Sequence, residues 1–169
     1  SALSVAFSIG VSDKIIKKGL KNFKGVQRRF NYLFEKNQIP FFDDYAHHPT
    51  EIESVLDGVK KVYNEEEIVC IFQPHRISRV RSLKKEFSKC FKKANTVLLC
   101  PIYKAGENIK LGFSYELFAK LIAKNSNVNL IMLKNEHELK KIIKNITFGK
   151  KIFIAMGAGS ISNWVRNLN

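Results

Sequence analysis

Residues 43–52, read Asp43-Asp44-Tyr45-Ala46-His47-His48-Pro49-Thr50-Glu51-Ile52, crowd carboxylates, a phenol and two imidazoles behind an apolar run at 39–42. Adjacent carboxylates leaving such a run are not both expected in a core, because an unpaired buried charge is costly. A carboxylate at the end of a strand can accept both hydroxyl hydrogens of a ribose. His48-Pro49-Thr50 then opens a helix, with Thr50 as a cap and Glu51 favoured in the first turn. On the purely structural reading Asp43, His48 and Thr50 only shape that turn. Asp44 and His47 are the stronger candidates for function.

A second group follows at 72–79, Phe72-Gln73-Pro74-His75-Arg76-Ile77-Ser78-Arg79. Arg76 and Arg79 are three residues apart, so on a helical turn they share a face and can converge on one carboxylate. The planar, forked guanidinium suits bidentate carboxylate recognition better than a lysine does. The alternative is a pair of surface arginines engaged in salt bridges. Two further motifs carry weaker signals. Gly25-Val26-Gln27-Arg28-Arg29-Phe30 could swing an arginine onto a transferring phosphate, with one of the pair merely solvated. Met156-Gly157-Ala158-Gly159-Ser160-Ile161 has the outline of a phosphate-cradling turn. It matches neither the full dinucleotide fingerprint nor GxxxxGK, so its glycines are read as permitting a tight turn.

The elements that position these residues alternate in type. Helical pieces over 2–9 and from 15 flank a turn at 10–13, with Ser12 or Asp13 as a cap. Short strands are expected at 30–34 and 39–42. A helix over 50–63 precedes a strand at 68–72, and a helix over 80–91 precedes one at 96–99. Helices over 114–124 and 136–146 precede strands at 128–133 and 151–156, and 160–168 closes as a helix. This repetition predicts an α/β fold, a Rossmann-like three-layer domain with a mostly parallel sheet. Right-handed crossovers then gather the strand-end loops along one edge, with Asp43, Asp44, Tyr45, His47 and His48 beside Gln73, His75, Arg76 and Arg79 and the turns at 105–107 and 157–159.

Composition narrows the class. The 169 residues, 45% hydrophobic, suffice for one globular domain, and no apolar stretch is long enough to span a membrane. No leader pattern is visible, which favours a cytoplasmic home. Cys70, Cys90 and Cys100 lack zinc-ligand spacing, so no metal site is expected; Cys70 and Cys100 read as buried hydrophobes. The net charge of +14, from 29 Lys and Arg against 15 Asp and Glu, favours anionic partners. Most of it is lysine on a solvated surface. The arginines gather at 28, 29, 76, 79 and 81 without the aromatic interleaving of a nucleic-acid groove.

Taken together, GVQRRF at 25–30, DDYAHHPTEI at 43–52, FQPHRISR at 72–79, AGE at 105–107 and MGAGSI at 156–161 resemble the Mur ligase family over residues 20–169. DDYAHHPTEI and FQPHR carry the specificity, and AGE and MGAG add little alone. The likeness is to the members that join L-alanine to UDP-N-acetylmuramate in peptidoglycan synthesis. It implies that residues 29–169 form the C-terminal domain of a three-domain enzyme. Residues 1–28 would then be a helical remnant of the central ATP-binding domain and linker. An adenine-contacting asparagine would fall near Ser1, where none stands.

By the same resemblance Arg29 reaches the ATP phosphates and Asp44 holds the ribose. Arg76 and Arg79 bind the alanine carboxylate, in a pocket lined by Tyr45, His47 and His75. ATP is the implied cofactor, with Mg2+ held mainly by the central domain. The partners are UDP-N-acetylmuramate, L-alanine and the N-terminal and central domains, with no nucleic acid or membrane. The 169 residues alone are expected to be inactive. Lys104 departs from the proline usual before AGE. Other readings are the recycling ligase that attaches a tripeptide to the same sugar, which usually lacks FQPHR, and a non-catalytic nucleotide- or polyanion-binding domain.

Overall fold

A computed structural model describes residues 2–23 and 25–169. Ser1, near which the resemblance places the adenine-contacting asparagine, lies outside them, as does Lys24. Two helices come first, α1 (Ala2–Ser8) and α2 (Asp13–Asn22), and neither buries a side chain. Ser12 occupies the N-cap position of α2, with no side-chain hydrogen bond to the helix.

The sheet begins with a hairpin of β1 (Asn31–Lys36) and β2 (Ile39–Asp44). Its two-residue turn, Asn37 and Gln38, has positive φ at both positions, the geometry that matches the twist of paired strands. The chain then alternates: α3 (Pro49–Val62), β3 (Glu67–Phe72), α4 (Ile77–Ser82), α5 (Lys84–Phe87), β4 (Thr96–Leu99), α6 (Tyr115–Ser126), β5 (Asn129–Met132), α7 (Glu136–Ile146), β6 (Lys151–Met156) and α8 (Ile161–Arg166). The six strands lie in the order β1-β2-β6-β3-β4-β5, with only β1 antiparallel to its neighbour.

Alternation along each strand builds a core on both faces. Phe42, Ile68, Cys70, Phe72, Val97 and Ile154 meet the buried residues of α3, α4, α5 and α6 on one side. Phe41, Val69, Ile71, Leu98 and Phe153 meet those of α7 and α8 on the other. This is the expected three-layer fold. Three crossovers run along one face toward β5, and α7 returns on the opposite face to lay β6 between β2 and β3. Right-handed connection requires that change of face when the direction of travel reverses. Every parallel strand therefore ends at the same edge.

Two departures from the sequence reading bear on the site. The helix expected over 80–91 starts at Ile77 and breaks at Leu83, giving α4 and α5. Strand β2 extends through Asp43 and Asp44, so the paired carboxylates end the strand instead of following it. The three cysteines are all buried, and burial pushes their thiols up from their ordinary values.

One aromatic stack ties the hairpin to the centre of the sheet: Phe34 lies over Phe41 at 4.7 Å and Phe41 over Phe153 at 4.5 Å between ring centroids. Phe153 is fully buried. Phe153→Ala should therefore cost roughly 3–5 kcal/mol, read as a lower denaturant midpoint at unchanged slope.

Candidate functional site

The end of β2 places Asp43 and Asp44 on different duties, and the expectation that they could not both be buried is wrong. Asp43 is 0% exposed and Asp44 5%. Each is matched by its own donors, which is how a chain tolerates adjacent buried carboxylates. Asp43 accepts hydrogen bonds from the Ser162 hydroxyl and from Arg166, the latter at 3.2 Å. Arg28 Nε faces its other oxygen at 3.9 Å, attracting it without a hydrogen bond. Asp44 accepts the backbone N–H of Phe30 at 2.8 Å through one oxygen and that of Ala46 at 2.7 Å through the other. Burial raises its carboxyl above the ordinary value, against those two bonds and the nearby Arg29. Asp44 thus fastens the segment before β1 to the loop after β2, while each oxygen keeps a lone pair for a further donor.

The two adjacent arginines separate. Arg28, with positive φ, turns inward: it donates to the Gly157 carbonyl and lies 4.8 Å from the centre of the Tyr45 ring. Arg29 is exposed, with its guanidinium 6.0 Å from the same ring. Of the pair, Arg29 has the side chain free to meet a ligand.

His48 is the N-cap of α3, in place of the expected Thr50. Its Nδ1 accepts the Thr50 N–H at 3.4 Å, and Pro49 fills the first helical position, where no N–H is needed. Glu51 Oε2 accepts the N–H groups of His47 and His48 at 3.0 and 3.1 Å. Burial pulls the Glu51 carboxyl upward, but these bonds outweigh it and hold the group below its ordinary value.

Across the strand ends runs a row of rings. Tyr45 meets His47 edge-on at 5.2 Å, His47 meets His75 at 5.7 Å, and His75 stacks on Tyr103 at 5.6 Å. The hydrogen bonds assign the tautomers. His47 Nδ1 donates to the Tyr45 carbonyl at 2.9 Å, a bond that in the neutral ring leaves the lone pair on Nε2. His75 Nδ1 receives Arg79 at 3.3 Å, which leaves its proton on Nε2. Burial first, then Arg79, lowers the His75 pKa and keeps the ring neutral. The row therefore offers an acceptor and a donor side by side.

Arg76 and Arg79 enter from the loop after β3. Arg79 folds back on the His75 carbonyl at 3.2 Å. Arg76 sits at φ +70 with its N–H on the Tyr103 carbonyl at 2.8 Å. That backbone conformation costs a non-glycine residue on the order of 1 kcal/mol or more, and such strain collects at functional sites. Its guanidinium stands 4.0 Å from Glu107. In this arrangement the two guanidiniums have different protein partners and are not joined on one group.

Sequence reasoning set Gln73 among the strand-end candidates but gave it no role. It is 3% exposed, and its amide joins the Ser160 hydroxyl and accepts the Ile161 N–H at 3.0 Å, binding the end of β3 to the start of α8. The glycines of MGAG are explained by the same residue. A Cβ on Gly157 would come within 2.7 Å of the Gln73 carbonyl oxygen, and one on Gly159 within 2.5 Å of its side-chain oxygen and 2.6 Å of Tyr103. They allow close approach between strand ends, a need visible only in three dimensions. Among the described residues no group of three or more His, Cys, Asp or Glu could hold a metal ion, and no helix is long and apolar enough to cross a membrane.

The Glu51 cap makes stability depend on pH. A carboxyl held below its ordinary value contributes fully at neutral pH and loses that contribution as pH falls through its folded value. Glu51→Gln should leave a shallower loss of stability between about pH 6 and about pH 3, measured by denaturant unfolding.

Comparison with known proteins supplies the family. The family model for the Mur ligase, glutamate ligase domain covers residues 28–159. A UDP-N-acetylmuramate–L-alanine ligase of Pelagibacter ubique is 62% identical over 168 residues, which is 99% of this chain and 36% of that protein. The corresponding ligase of Agrobacterium fabrum is 38% identical, again over 99% of this chain and 36% of its own length. This chain thus spans about a third of the length of the curated relatives it matches. The crystal structure of UDP-N-acetylmuramate-alanine ligase from Thermotoga maritima superposes with a TM-score of 0.76 at 28% identity, over 98% of this chain and 34% of that one. With its sheet order, its loaded strand-end edge and the family match over most of its length, this chain belongs to the Mur ligase family.

Proposed function

We propose that this chain is the C-terminal domain of an ATP-dependent ligase that joins L-alanine to UDP-N-acetylmuramate, with residues 1–28 belonging to the central domain and linker. The observation that carries the reading is the row Tyr45, His47, His75 with Arg79 bonded to His75, on the edge where Arg76 and Arg29 also lie. Two relatives at 62% and 38% identity bear the name of that ligase.

In this reading the sugar carboxylate attacks the γ-phosphate of ATP, giving an acyl phosphate and ADP. The amine of L-alanine then attacks the acyl carbon through a tetrahedral intermediate, and phosphate leaves as the nitrogen gives up a proton. The domain supplies position and charge. Arg29 extends to the phosphates, and the remaining lone pairs of Asp44 accept from the ribose. Arg76 and Arg79 take the alanine carboxylate as a fork pair, and Tyr45, His47 and His75 wall the pocket against water. In this reading Mg2+ is held mainly by the central domain, as the family resemblance implies. On the same reading the enzyme works in the cytoplasm, at an early step of cell-wall precursor synthesis that serves cell shape and division.

The murein-recycling alternative shares the DDYAHHP segment, and substrate choice separates the two. The full-length gene product should release phosphate from ATP and UDP-N-acetylmuramate when L-alanine is added. Release only with the stem tripeptide moves the protein to the recycling branch, and release with neither removes the ligase reading. Arg79→Ala should raise the KM for L-alanine about 10-fold or more with little change in the KM for ATP, the loss of one charge-assisted bond. Arg29→Ala should instead lower kcat, by about 100-fold, because it meets charge that moves in the transition state.

A further inference from the structure

The loop 101–113 between β4 and α6 is zipped to the segment that carries the arginines. Tyr103 N–H donates to the Pro74 carbonyl and Arg76 N–H to the Tyr103 carbonyl, both at 2.8 Å, and His75 and Tyr103 form a parallel bridge. Ala105 and Gly106 both have positive φ, and the Glu107 N–H closes the turn on the Lys104 carbonyl at 3.0 Å. The turn delivers the Glu107 carboxylate to the entry of α4. One oxygen accepts the Ser78 N–H at 3.0 Å, and the other takes the Ser78 hydroxyl and faces Arg76 at 4.0 Å.

We propose that Glu107 is a positioning residue for the amino-acid pocket, aiming the Arg76 guanidinium at the incoming carboxylate while it pins the strained backbone at the start of α4. The proposal rests on the ligase reading above and goes beyond it, because AGE carries no assigned role there. Two features leave this pair free to serve a ligand. The Arg76 side chain is 52% exposed, so a 4.0 Å pair stabilises the fold very little. The pair is also loose enough for a substrate carboxylate to share or take over the guanidinium, whereas the two bonds to Ser78 keep Glu107 itself fixed. Those bonds, the Ser78 hydroxyl first and then its N–H, hold the Glu107 carboxyl below its ordinary value.

Glu107→Gln separates the roles. An amide can keep both contacts to Ser78, with its oxygen on the N–H and its nitrogen on the hydroxyl, but it then turns an NH2 toward Arg76 and the attraction is gone. In the full-length ligase, Glu107→Gln should keep the thermal midpoint and the KM for ATP and UDP-N-acetylmuramate near wild type. The KM for L-alanine should rise about fivefold or more. On an Arg76→Ala background the same substitution should add nothing, since a residue acting through Arg76 has nothing left to aim. An unchanged KM for L-alanine, an equal rise in all three KM values, or a full independent factor on the Arg76→Ala background would each overturn the proposal. A wild-type enzyme without L-alanine-dependent turnover would overturn the ligase reading and the proposal with it.

Discussion

A carboxylate stripped of all solvent contact at the end of an inner strand must be compensated on the spot, and Asp43 is compensated from three directions. Ser162 and Arg166 reach it from α8, and Arg28 reaches it from the segment before β1. Removing one member of such a set costs far more than the set adds over an apolar core, because the others are left buried with their charge unmatched. The three segments are therefore held in one mutual placement. That placement leaves Asp44, the next residue, with only one way to face, and it forces Arg28 inward and Arg29 outward. The neighbouring bond network of Gln73 does the same for β3 and α8. Together the two networks fix the strand ends before any ligand is considered, which is the preorganisation a site needs.

Much of this fold was legible in the chain. Strand–helix alternation with apolar runs at β3, β4 and β6 predicts a parallel sheet, and the parallel sheet predicts one functional edge. The rest was hidden because its causes are not local. The partners of Asp43 on α8 lie 119 and 123 residues further along, and those of Gln73 lie 87 and 88 residues away. No periodicity or spacing rule brings such residues together. The expectation that neighbouring carboxylates could not both be buried failed for this reason: it priced the charges without their distant donors. The boundary of α4 failed locally instead. Arg76 takes a backbone conformation with positive φ that ordinary helix-start signals do not describe, and it is stabilised from the 101–113 loop.

The site residues divide along the same line. Tyr45, His47, His75, Arg76 and Arg79 stand out by type, since rings and guanidiniums clustered behind strands invite attention. Their working states do not stand out. Which nitrogen of His47 or His75 carries the proton follows from a carbonyl and a guanidinium that only the folded chain supplies. Glycines 157 and 159, read from the sequence as permitting a tight turn, prove also to be clearance for Gln73 and Tyr103.

The buried thiols have a practical side. Cys70, Cys90 and Cys100 are enclosed in the core, and burial pushes each away from the reactive thiolate form. These three are thus nearly silent to thiol reagents while the fold holds. A cysteine introduced on the exposed segment near Arg29 would react where they do not. A dye placed there would report how that segment moves, and the buried three would announce themselves only when the core opens.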